Sequence, residues 1–92
     1  MLFMIIERYR NRNADAVYQR FRERGRMMPP GLRYVDSWVE KNYGRCFQLM
    51  SCDNPQLLQE WISHWEDLVE FEIVPVRTSK EASELIAKGD QS

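Results

Sequence analysis

The chain alternates four β-prone runs with two stretches of helical apolar spacing, and this alternation restricts the fold more than any other feature. Leu2–Tyr9 is rich in aliphatic and aromatic residues and reads as a first strand. Arg10–Arg12 link it to Asn13, a good N-cap, after which Ala14, Val17, Tyr18, Phe21, Gly25 and Met28 recur at helical spacing. Pro29-Pro30-Gly31 ends that helix, because proline lacks an amide hydrogen and clashes with a continuing helical turn. Leu32–Val39 and Arg45–Ser51 are two further runs, joined by Glu40–Gly44 with Asn42 and Gly44 as turn residues, and they predict a hairpin. Asp53-Asn54-Pro55 starts a second helix, with Asn54 as its cap and a stripe of Leu57, Leu58, Trp61, Ile62, Trp65 and Leu68. Val69–Val76 is a fourth strand, and Pro75 within it predicts a sheet edge, since proline cannot donate to a ladder. Thr78 and Glu81, at capping-box spacing, open a short closing helix carrying Ala82, Leu85 and Ile86, with Gly89 behind them. The order β-α-β-β-α-β plus a C-terminal helix predicts an α+β, ferredoxin-like fold. Its antiparallel four-stranded sheet would place strands one and three in the centre and two helices on one face.

Ninety-two residues suit one domain, with a core over 1–77 and the closing helix over 78–89. Hydrophobic residues at 43% and aromatics at 12% exclude a disordered or low-complexity chain. Thirteen Lys and Arg against fourteen Asp and Glu exclude polyanion binding through bulk charge. Charge is nevertheless uneven. Residues 1–45 hold ten basic and five acidic side chains, residues 46–92 three and nine, so the elements are expected to complement one another. The longest apolar run, Leu2–Ile6, is too short to cross a bilayer or to serve as a secretory core, so no membrane partner and a cytoplasmic location are expected. Cys46 and Cys52 lie six residues apart on or beside one strand, roughly 20 Å when extended, which excludes a disulfide between them and predicts free thiols.

Strand alternation divides the sheet residues into two sets. Phe3, Ile5, Val35, Val39, Phe47, Leu49, Phe71 and Ile73 are uniformly apolar and are assigned to the face beneath the helices. The second set mixes Leu2, Met4, Ile6, Trp38, Cys46, Met50, Val74 and Val76 with Arg8, Tyr34, Asp36, Gln48 and Glu72. So apolar a second face would leave an exposed patch of several hundred Å², on the order that monomers rarely carry, and it predicts a two-fold homodimer with opposed sheets.

Three segments carry a resemblance: RFRERGRMMPPGLRYVDSWVE (Arg20–Glu40), RCFQLM (Arg45–Met50) and EWISHWEDLVEFEIVPV (Glu60–Val76). They resemble a family of small bacterial proteins known only as a domain of unknown function, from the first strand through the fourth. That family is similar in fold to the dimeric α+β barrels, which include monooxygenases, muconolactone-isomerase-like proteins and stress-responsive proteins. The resemblance implies the opposed-sheet dimer and carries no catalytic residues to transfer.

Arg8, Tyr34, Asp36, Trp38, Gln48 and Glu72 are the candidate ligand-binding residues, because an apolar wall with a few converging polar groups is how small-molecule sites are built. The competing explanation is a filled dimer interface in which Arg8 pairs with Glu70 or Glu72 across antiparallel strands. Asp36, if buried beside Trp38, would have the raised pKa of a general base. No metal ligands or cofactor motif stand out. His64 is the single histidine, and although some haem-degrading barrel proteins use a helical His near Trp, Trp61 and Trp65 at this spacing read as core anchors. In the Arg10–Arg26 basic stretch, Arg20, Arg22 and Arg24 point in different directions along their helix, and strand three lacks the aromatics of an RNA reader, which argues against nucleic acid. The chain is therefore expected to bind a small organic molecule in a sheet-lined cavity. The alternatives are a cofactor-independent monooxygenase- or isomerase-like enzyme, and a purely structural dimerisation module.

Overall fold

A computed structural model describes residues 1–89. It shows the expected order, β1 (Leu2–Tyr9), α1 (Ala14–Arg24), β2 (Arg33–Val39), β3 (Arg45–Ser51), α2 (Gln56–Ile62), β4 (Val69–Val76) and α3 (Ser79–Ala87), with a short 3-10 turn at Arg10–Arg12. The sheet is antiparallel in the order β2-β3-β1-β4, which is the ferredoxin-like arrangement and leaves β4, with Pro75, on an edge. Local signals act as their chemistry dictates. Asn13 accepts the Ala16 amide at 3.1 Å and Thr78 accepts the Glu81 amide at 3.1 Å, each satisfying an otherwise unpaired first-turn donor. Asn54 accepts the Gln56 amide at 3.0 Å beside Pro55.

α1 is shorter than its apolar spacing suggests. It ends at Gly25, whose left-handed backbone (φ 67°) lets its amide close back on the Phe21 carbonyl at 2.8 Å. Met27, also left-handed at φ 58°, turns the chain again, so Arg26 lies between two reversals rather than on a helix. α2 likewise gives way after Ile62 to a series of turns that still carries Trp65 into the core.

The core is one cluster in which Val17 of α1 and Leu58, Trp61 and Ile62 of α2 meet Phe3, Ile5, Tyr9, Met50 and Val69 of the sheet. Trp61 also sets its ring edge-on to Phe71 at 5.5 Å. Three of the four ion pairs among the described residues join the basic first half to the acidic second half: Arg8–Glu72, Arg10–Glu70 and Arg20–Asp67. The complementarity expected from the charge distribution is thus internal.

The assignment of sheet faces needs correction on β3 and β2. Pairing aligns Phe3 with Met50, Ile5 with Gln48 and Glu7 with Cys46, so Cys46, Gln48 and Met50 face the helices and are buried. Phe47 and Leu49 stand on the opposite face. Apolar character alone would reverse them, but antiparallel register decides which side chains share a face, and one residue of offset inverts the whole strand. On β2 an irregularity between Tyr34 and Asp36 absorbs an extra residue, Val35, which is half-exposed. Tyr34, aligned with Met50, therefore lies on the helix side, whereas Asp36 and Trp38, aligned with Leu49 and Phe47, lie on the outer side.

Candidate functional site

The correction of the faces determines what can form a site. Of the six residues singled out from sequence, Gln48 and Tyr34 belong to the helix side of the sheet, while Arg8, Asp36, Trp38 and Glu72 lie on the outer side. The structure therefore does not bring all six together. On the outer side Arg8 and Glu72 form a half-exposed ion pair at 3.7 Å. Asp36 accepts the Ser37 amide at 2.8 Å, an ordinary turn-like contact, and is itself exposed.

On the helix side, between α1 and the sheet, lies a partly enclosed cavity of about 250 Å³. Aromatic and aliphatic side chains form most of its wall, with Val17 and Phe21 from α1, Val39 from β2 and the indoles of Trp61 and Trp65 behind. Set into that wall is Glu7, only 5% exposed, which accepts a hydrogen bond from the Gln48 side-chain amide. Desolvation pushes the Glu7 carboxyl up to about 7, against smaller opposing effects of Gln48 and the Arg26 charge. Two further wall groups, Tyr9 and Cys46, stay protonated near neutrality, because burial raises the Tyr9 hydroxyl and pushes the Cys46 thiol up to about 12. Glu7 is thus the wall group poised to exchange a proton in the neutral range.

Arg26 forms the rim. Its backbone carbonyl accepts both indole N–H groups, from Trp61 at 2.9 Å and Trp65 at 3.0 Å, which pins the chain reversal over the core. Its guanidinium carbon lies over Tyr34, 3.8 Å from the ring centroid, and 5.0 Å from that of Phe21. Nε reaches Gln48 Oε1 at 3.4 Å, a long contact, so Glu7, Gln48 and Arg26 make one polar line across an apolar recess. Tyr18 stands edge-on to Tyr9 at 6.4 Å and to Tyr43 at 6.5 Å, continuing the aromatic lining toward the surface.

Glu7 and Arg26 were not among the sequence candidates. For Glu7 a signal exists: it continues the Phe3–Ile5–Tyr9 alternation and so falls on the core face, where an unpaired acid is expensive and therefore informative. Arg26 had none, because its place depends on the two backbone reversals that flank it. Among the described residues no group of three or more His, Cys, Asp or Glu side chains could hold a metal ion. His64 is exposed beyond the end of α2, where its carbonyl accepts from Arg20. No helix among the described residues is long and apolar enough to cross a membrane. Comparison with known proteins matches residues 1–90 to a family described as Domain of unknown function (DUF3303), and no curated protein or solved structure matches.

Proposed function

The chain belongs to the DUF3303 family, and because that family has no assigned activity, we propose from the cavity itself that this protein binds a small organic molecule between its sheet and α1. The observation that carries the reading is the pairing of Glu7 with Gln48 inside an otherwise aromatic and aliphatic recess. A buried carboxyl there costs stability and adds nothing to packing, whereas a few placed polar groups on an apolar wall orient a ligand. The volume is a little under the roughly 300–1,000 Å³ of drug-sized sites, which points to a single-ring molecule. Gln48 keeps its candidate role in this reading, and Tyr34 enters it only through the Arg26 guanidinium above its ring. A carboxyl that titrates near neutrality also suits acid–base chemistry on a bound ligand, which favours the enzyme alternative over a module without a ligand.

The outer side of the sheet supports a homodimer of the opposed-sheet, dimeric α+β barrel kind. Trp38, Phe47 and Ile6 are adjacent across three strands, Leu49, Met4 and Val74 form the next row, and Leu2 and Val76 extend it. Trp38 is 51% exposed. Arg8, Asp36 and Glu72 would then frame this interface rather than line a pocket. Both cysteines are free and buried, which fits the reducing conditions of a cytoplasmic protein.

The test of ligand binding is an NMR titration with single-ring probes (phenol, benzyl alcohol, benzoate and benzamide) at millimolar concentration. Shifts should concentrate on Gln48 and the indole N–H signals of Trp61 and Trp65, and should disappear in Val39→Trp, which fills the recess. Absence of any such shift, or shifts that persist in the filled variant, would overturn the reading.

A further inference from the structure

Resting on the cavity reading above, we infer that the ligand is a monocyclic aromatic carboxylate, its ring held in the recess and its carboxylate taken by the guanidinium edge of Arg26. Arg26 is committed through its face and its backbone, not through its charge. The face lies over Tyr34, the carbonyl serves two indoles, and the Nη atoms make no hydrogen bond or ion pair among the described residues. A stacked guanidinium in that state presents a preformed planar fork, and carboxylates match such a fork through two parallel hydrogen bonds. Among the described residues Arg26 is the one basic side chain that lines the cavity, and Arg10, Arg20 and Arg45 are matched by Glu70, Asp67 and Glu40.

Among the described residues only one acid lines the recess, Glu7. Glu7 faces Tyr9 on its own strand, Cys46 and Gln48 on β3, Phe71 on β4 and Ser37 on β2. From the helix side it faces Tyr18, Trp61 and the Arg26 cation. With Tyr9 and Cys46 held protonated, the wall carries a net positive charge whenever Glu7 is neutral, and Glu7 then offers a second donor. An anionic ligand beside it disfavours Glu7 ionisation, so binding takes up a proton above the range where Glu7 is neutral.

The experiment compares benzoate with benzamide, two probes of one ring that differ in charge, by NMR titration of wild type, Arg26→Gln and Glu7→Gln. Benzoate should bind more tightly than benzamide. Arg26→Gln should weaken benzoate by about tenfold while leaving benzamide unchanged, since a charge-assisted pair is worth roughly that factor. Benzoate affinity should fall about tenfold from pH 6 to pH 8, and Glu7→Gln should flatten that dependence. If benzamide binds as well as benzoate, or Arg26→Gln weakens both alike, the carboxylate assignment is wrong while the cavity reading stands. If neither probe moves Gln48 or the tryptophan signals at millimolar concentration, this inference fails, and phenol and benzyl alcohol decide whether the cavity reading fails with it. A benzoate affinity that is independent of pH would remove the role of Glu7. Wild-type tryptophan signals retained by Arg26→Gln and Glu7→Gln show that each variant is folded.

Discussion

A carboxylate at position 7 is hard to explain as a packing residue. It lies between Ile5 and Tyr9 on the buried alternation of β1, opposite Cys46 on one neighbour and Phe71 on the other, where a leucine would fill the same space at no electrostatic cost. Its consequence for stability has a definite sign. The folded-state pKa of about 7 exceeds the ordinary 4.5, so the native chain holds a proton that the unfolded chain has released. The corresponding stability is fully present below about pH 4.5, falls as pH rises, and is gone once pH passes about 7. A shift of this size corresponds to roughly 3 kcal/mol between those limits. Urea unfolding at pH 5 and pH 8 should therefore show wild type losing stability across the interval, while Glu7→Gln, which has no proton to lose there, stays nearly level. Equal pH slopes in the two proteins would show that Glu7 is ionised and solvated in the native state. The same carboxyl shows how a site escapes a motif search, because its chemistry depends on a neighbouring strand's register and on no pattern of nearby polar residues.

At the scale of the element, the legible features were those governed by adjacent residues. Asn13 and Thr78 cap the helices they precede, Pro75 lies on an edge strand, and the β-α-β-β-α-β order leads to the observed sheet. What failed was placement that depends on residues far away in sequence. Phe47 and Leu49 look like core residues, yet β1 pairs with β3 so that Gln48 faces inward between Cys46 and Met50. The extra residue at Val35 then places Tyr34 and Asp36 on opposite sides, although simple alternation would keep them together. The candidate site was divided for that reason. α2 and the turns after it have a clearer role, since Trp61 and Trp65 both donate to the Arg26 carbonyl and so hold the rim of the cavity to the core. A carbonyl oxygen has two lone pairs, so removing one indole leaves it satisfied by the other. Trp61→Phe and Trp65→Phe should each lose about 1 kcal/mol for the missing hydrogen bond, apart from packing differences. The double variant should lose about 1 kcal/mol more than the two separately, because only then is the carbonyl left without a protein donor. Thermal or urea unfolding of the four proteins in the cycle measures this coupling, and strict additivity would mean that solvent serves the carbonyl as well as the indoles do.

For the whole molecule, the two faces of the sheet differ in what lies against them. One carries the core and the cavity, and the other carries adjoining rows of Trp38–Phe47–Ile6 and Leu49–Met4–Val74, in which Trp38 is exposed and the rest are partly buried. Charge does not account for the second face, since the uneven distribution along the chain is answered by ion pairs from β1 and the 3-10 turn after it to β4, and from α1 to the turns before β4. Burying such a face against a second copy removes apolar area from water at about 25 cal/mol per Å², and a two-fold contact places the same rows on both partners. Phe47→Asp would set a charge into the middle of that patch twice in every dimer while leaving the buried cluster of the same chain untouched. Light scattering at micromolar concentration should show wild type at twice the chain mass and Phe47→Asp at the single-chain mass. The tryptophan signals of the cavity should be unchanged in the variant, because Cys46 and Gln48, on either side of Phe47, point to the opposite face. A wild-type monomer would refute the opposed-sheet assembly and leave the cavity argument intact. A variant that lost dimerisation and probe binding together would show instead that the two faces are coupled, with the partner sheet holding β1 and β3 in the register that brings Gln48 to Glu7.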